Sequence, residues 1–135
     1  MSGNKMHSLG VRIVQDHKLS LPTPHKIVCK ASTNKDKFGE YAFGINYSDY
    51  IKTSPDCYII HVDVRTRTIG GAYLWRLMED DGRFPIIENT NTVGRCIYWS
   101  SYKLEVLATL TEIEVEEILK LRETRKLPNQ TNLFI

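Results

Sequence analysis

His25-Lys26-Ile27-Val28-Cys29-Lys30-Ala31-Ser32 is the stretch on which the reading of this chain turns. Side chains of a β-strand alternate between its two faces, so Ile27, Cys29 and Ala31 point one way while Val28, Lys30 and Ser32 point the other. Upstream, Val11, Ile13, Leu19 and Leu21 share one face of a second strand if a small irregularity falls near Asp16. Pro22-Thr23-Pro24 forces a turn between the two, because prolines remove backbone donors and fix the local dihedrals. Residues 11–32 therefore predict a β-hairpin.

Working outward, residues 33–40 form a charged loop and Glu40 to Tyr47 alternates Tyr41, Phe43, Ile45 and Tyr47 with smaller partners, as a strand with one covered face does. Ser48 to Lys52 predicts a helical turn capped by Ser48. Tyr58 to Val64 is nearly continuous in apolar residues, interrupted by His61 and Asp63, and predicts a central strand buried on both faces. Arg65 to Thr68 turns the chain, Ala72 to Met78 returns it, and Gly94 to Tyr102 supplies a last strand. Thr111 followed three positions later by Glu114 is a capping-box pattern that opens a helix to about Arg125, with Ile113, Ile118, Leu119 and Leu121 on the sheet side. Pro128 stops it. The predicted fold is α+β: a central mixed, mostly antiparallel sheet of five or six strands with one C-terminal helix. Residues 1–10 read as a flexible leader, 11–127 as a single globular domain, and 128–135 as a tail.

The chain has 135 residues, 41% of them hydrophobic, enough for one core without covalent staples. A formal net charge of +2 is too small to diagnose a nucleic-acid binder by itself. Its distribution is more telling, since Lys18, Lys26, Lys30, Lys35 and Lys37 lie early and Glu112, Glu114, Glu116 and Glu117 lie late. Cys29, Cys57 and Cys96 are odd in number, sit in apolar runs and pair with no histidine, so they read as buried reduced thiols. With no apolar run long enough to span a bilayer, a reducing cytoplasm of a bacterium or virus-infected cell is expected.

Asp16, the run Ile27-Val28-Cys29-Lys30-Ala31-Ser32, and then Tyr41-Ala42-Phe43-Gly44-Ile45 and Ser54-Pro55-Asp56-Cys57-Tyr58 together resemble the PD-(D/E)XK nuclease superfamily, with Val28 standing where a glutamate is usual. The resemblance covers about residues 11–80. It implies a restriction-endonuclease-like core acting on DNA in repair, recombination or restriction, as in a phage or bacterial enzyme. Hydrolysis of a phosphodiester uses Mg²⁺ to neutralise charge and activate water, which calls for carboxylates near a lysine. On this resemblance Asp16 and Lys30 are the catalytic candidates and Asp16 a metal ligand, with Glu40 or Asp49 supplying the missing acid. Such nucleases commonly work as homodimers. The alternative is a nuclease fold without catalysis that binds DNA or protein, as a viral accessory, virion or inhibitor module does.

Two further signals lie apart from these. Gln130-Thr131-Asn132-Leu133-Phe134 resembles the peptide by which replication and repair proteins dock on sliding clamps, with Leu133 and Phe134 as apolar anchors and Gln130 at the rim. Its alternative is a fold-back onto the domain's own core. His61 and Asp63, two apart, share a strand face and read as a proton-transfer pair or a satisfied polar contact. Tyr73, Trp75, Tyr98 and Trp99 are candidates for stacking bases or for cross-strand packing.

Overall fold

Strand β3 (Tyr58–Asp63) is buried at every residue and everything else is arranged about it. The computed structural model describes residues 2–30, 41–90 and 94–133. In chain order the elements are α1 (Ser2–Asp16), β1 (His25–Lys30), β2 (Ala42–Asn46), α2 (Tyr47–Lys52), β3, β4 (Thr68–Tyr73), α3 (Leu74–Leu77), β5 (Ile86–Thr90), β6 (Gly94–Ser100), β7 (Glu105–Thr109) and α4 (Glu112–Leu133). A four-stranded sheet has the order β1-β3-β4-β7, and a three-stranded sheet has the order β2-β6-β5. Only β1 with β3 is parallel among these ladders. The α+β class is as the sequence predicts, and the strands divide into two sheets.

Period-two geometry splits β3 between two cores. Tyr58, Ile60 and Val62 join Ile69 of β4 and the helical residues Met6, Ile13, Val14, Val115 and Ile118. Ile59, with Cys57 and Ala72, joins Phe43, Ile45, Ile97 and Trp99 of the second sheet. The molecule is thus three layers deep: α1 and α4, the four-stranded sheet, then the three-stranded sheet. Strand β1 divides in the same way, Ile27 and Cys29 toward the helices and Val28 toward the second sheet, as its alternation predicts.

The strand expected over residues 11–21 is instead the end of a helix. Met6, Leu9, Ile13 and Val14 recur at helical spacing and α1 lays that face on β1. Gly10 permits the approach, because an added Cβ there would lie 2.8 Å from the Cys29 Cβ. Lys18, with φ of 53°, takes the left-handed conformation that ends a helix. The leader expected over residues 1–10 is accordingly helical from Ser2, and no hairpin joins Asp16 to β1.

Helix α4 opens with the predicted capping box. The Glu114 main-chain N–H donates to Thr111 Oγ1 (3.1 Å), and the Thr111 N–H donates to Glu114 Oε1 (2.9 Å). Glu114 also meets His17 Nε2 at 2.9 Å, and Arg12 Nη2 donates to Glu117 at 2.6 Å, which ties α1 to α4. Ile113 is 69% exposed, so Val115 rather than Ile113 serves the core. The helix continues past Pro128 to Leu133, since a proline deletes one backbone donor without forbidding helical dihedrals. The short helix α2 starts one residue before Ser48, with Asn46 at its N-cap position. Strands β5 and β7 are additional to the predicted set, and the return expected over Ala72 to Met78 is made earlier, by β4 from Thr68 to Tyr73, with Leu74–Leu77 helical. The three cysteines are free thiols, and no described helix is long and apolar enough to cross a membrane.

Candidate functional site

The second-sheet face of β3 presents Ile59, His61 and Asp63 in succession, and the polar pair lies where the two sheets part. Across the ladder His61 pairs with Gly70, which has no side chain, and Asp63 pairs with Thr68. The space left is a cleft of about 400 Å³ lined by Tyr41, His61, Asp63, Thr66, Thr68, Gly70, Ser100, Ser101, Tyr102, Leu104 and Val106. That size suits a small ligand or one unit of a larger one. Hydroxyls dominate its polar lining.

His61 is fully buried and stacks on Phe43, ring centroids 3.5 Å apart. Phe43 in turn meets Trp99 edge-on at 4.6 Å, which holds the imidazole plane in place. Asp63 is held by Arg65, whose main-chain N–H, Nε and Nη2 approach its carboxylate at 2.9, 3.1 and 3.2 Å. Each side chain is only 3% exposed, so the pair has left water together. Two parallel charge-assisted bonds offset that desolvation, whereas either ion alone would be stranded. The Arg65 guanidinium also lies 5.5 Å from the Tyr41 ring centroid. Thr66 and Thr68 share a hydroxyl bond of 2.7 Å.

The far wall comes from the chain leaving β6. Ser100 is buried, and Ser101 begins a single 3₁₀ turn that carries Tyr102 to the rim. Tyr102 donates to the Asp81 carboxylate, which also accepts the N–H groups of Phe84 and Arg83. These donors, Tyr102 foremost, hold Asp81 well below the usual carboxylate range. Lys103 is buried and donates to the main-chain carbonyls of Leu77 (3.2 Å) and Glu79, fastening this turn to the end of α3.

The parallel ladder between β1 and β3 sets Lys26, Val28 and Lys30 in register with Ile59, His61 and Asp63. Neighbouring strands stand about 4.8 Å apart, so the Lys30 backbone runs beside that of Asp63, which lines the cleft. Val28 packs on the cluster of Phe43, Ile59 and Trp99. The position that the nuclease resemblance fills with an acid is therefore a hydrocarbon contact here.

The remaining sequence candidates are dispersed. Asp16 ends α1 in the helical layer, 61% exposed, 3.9 Å from Arg12 Nε, and lies across the sheet from the cleft. Asp49 is exposed on α2, 3.9 Å from Lys26 Nζ. Glu40 and Phe134 lie outside the described residues, and the backbone of Gln130 and Leu133 belongs to α4. Among the described residues no group of three or more His, Cys, Asp or Glu is placed to hold a metal ion. Asp63 already gives both oxygens to Arg65. Of the acids the resemblance would use for Mg²⁺, Asp16 on α1 and Asp49 on α2 are set apart from each other and from Asp63. Sequence reasoning paired His61 with Asp63 but missed Arg65, Thr66 and Thr68, whose signal was a cation and hydroxyls directly after a buried carboxylate. No family model, curated protein or solved structure matches the chain.

Proposed function

We propose that this protein binds DNA through the cleft between its sheets, as a non-catalytic module with a nuclease-like sequence signature. The observation that carries the reading is the β1–β3 register, which runs the lysine-bearing strand beside the Asp63 end of the hydroxyl-lined cleft. Hydroxyls and a lysine are the groups that hold a phosphate backbone in place without reading its sequence. Val28 in the apolar cluster and Asp63 locked to Arg65 favour binding over metal-assisted hydrolysis.

Electrophoretic retardation of a short duplex, run in EDTA over graded salt, tests this. Retardation that falls steeply with salt is expected, because each neutralised phosphate releases a counterion. Lys30→Ala and Ser101→Asp each weaken it, the first by removing a cation and the second by placing a carboxylate on the cleft wall. Absence of retardation at low salt defeats the proposal. Plasmid nicking with Mg²⁺ or Mn²⁺ that disappears in both Asp16→Asn and Lys30→Ala replaces it with the catalytic reading.

A further inference from the structure

Four aromatic residues could stack bases by sequence, and the structure separates them. Trp99 is fully buried and Tyr98 half-buried, whereas Trp75 is 49% and Tyr73 37% exposed. The Tyr73 and Trp75 rings lie parallel within 10°, centroids 6.1 Å apart. Both are partly open to solvent, and the backbone that carries them is fixed rather than loose. The Leu74 and Trp75 main-chain N–H groups donate to Cys57 and Pro55 carbonyls at 2.9 and 3.1 Å. Lys103 anchors the other end of the same helical turn. Tyr58 supports Tyr73 edge-on at 5.1 Å, in space that exists because Gly71 has no side chain; a Cβ there would meet the Tyr58 ring at 2.5 Å.

Beside the rings is a hollow of about 200 Å³, bordered by Glu105 and by Arg76, whose exposed guanidinium also donates to Glu79 at 3.1 Å, a surface pair that a phosphate can displace. We infer that Tyr73 and Trp75 form a stacking platform for an unpaired nucleobase, with Arg76 toward the phosphate and Glu105 accepting from the base edge. The hollow is smaller than the roughly 300–1,000 Å³ typical of drug-sized ligands and suits one planar ring system. A cation and an acceptor on its border match a nucleotide, which carries an anion and in-plane donors; a proline-rich segment offers neither. Burial, then Glu105 and Tyr73, push the Tyr58 phenol up, so it stays a hydroxyl beside the hollow. The inference goes beyond the cleft to a second contact, because Tyr73 shares the face of Tyr58 and Ile69 rather than that of His61 and Asp63; it rests on the DNA-binding reading and adds the contact that distinguishes single strands from a bare phosphate backbone.

Tryptophan emission tests it directly, since the chain has two tryptophans and Trp99 is sealed from solvent. The full chain is titrated with a short oligodeoxyadenylate and with an abasic strand of equal length. Quenching by the first and not by the second is expected. Trp75→Ala weakens retardation of the oligodeoxyadenylate about tenfold, within the range of base–aromatic stacking, while Trp75→Phe keeps most of the affinity. Retardation of both strands with neither quenching nor an effect of Trp75→Ala removes the platform and leaves the cleft reading standing. Failure of both strands to bind at low salt removes both. Quenching by a proline-rich peptide and not by the oligonucleotide reassigns the rings to a protein partner and overturns the inference.

Discussion

The two faces of the four-stranded sheet are built from the same strands and have opposite characters. On the helical side Ile60, Val62 and Ile69 meet Ile13, Val14, Val115 and Ile118, a layer of aliphatic side chains. On the other side Ile59 is followed by His61 and Asp63, which meet Phe43, Tyr41 and the hydroxyls after β6. Hydrocarbon burial contributes about 1.5–3 kcal/mol per large side chain and requires only close packing. A buried ion pair contributes little net and demands its partner's geometry. One strand can therefore carry stability on its even positions and polar specificity on its odd ones.

The largest expected effect comes from breaking the polar face. Asp63→Ala strands the Arg65 guanidinium and should lower the unfolding free energy by about 3–5 kcal/mol in urea titration. Replacing both partners, as Asp63→Leu with Arg65→Met, should recover most of that loss, because no unpaired ion remains. An unrecovered double variant would show that the pair does more than satisfy itself. On the aliphatic face Ile60→Ala should cost about 2–5 kcal/mol through a cavity, with DNA retardation unchanged under conditions where the variant is folded. Loss of retardation in the folded variant would erase the distinction between faces.

Smaller effects concern the junction of the helices. Thr111→Ala removes the cap of α4 and should cost about 1 kcal/mol. Burial raises the pKa of Glu114, but hydrogen bonds from His17 and Thr111 outweigh it and leave the group lowered in the folded protein. Its stabilisation is therefore complete above the usual glutamate value of 4.5 and drains away as pH falls through the folded value. The urea midpoint should drop on acidification below 4.5 in the parent, and Glu114→Gln should show a shallower drop. Parallel acid profiles for the two proteins would remove Glu114 from the account.

Local rules were legible in the sequence where one period dominates. The capping box at Thr111 and Glu114, the two-faced alternation of β1, and the buried run of β3 all follow from neighbouring residues alone. Residues 11–21 were not legible, because Val11 and Ile13 alternate like a strand while Met6, Leu9, Ile13 and Val14 repeat like a helix. What decides is distant: Gly10 against Cys29, and Arg12 and His17 against α4. That misreading placed Asp16 beside Lys30. In the candidate site, His61 and Asp63 were visible as a shared face, but Arg65 as the partner of Asp63 depends on a turn conformation, and the hydroxyls after β6 arrive through sheet packing. The first is marked only by a cation two residues after a buried carboxylate, and the second leaves no mark in spacing.

The link between His17 and Glu114 joins residues 97 positions apart. During synthesis, β3 and β4 emerge long before the second of the two helices that shield them, so Ile60, Val62 and Ile69 must wait with half their cover missing. A ribosome stalled within β7 would display a greasy half-sheet to the cell, and holdase chaperones should engage the nascent chain until α4 leaves the exit tunnel.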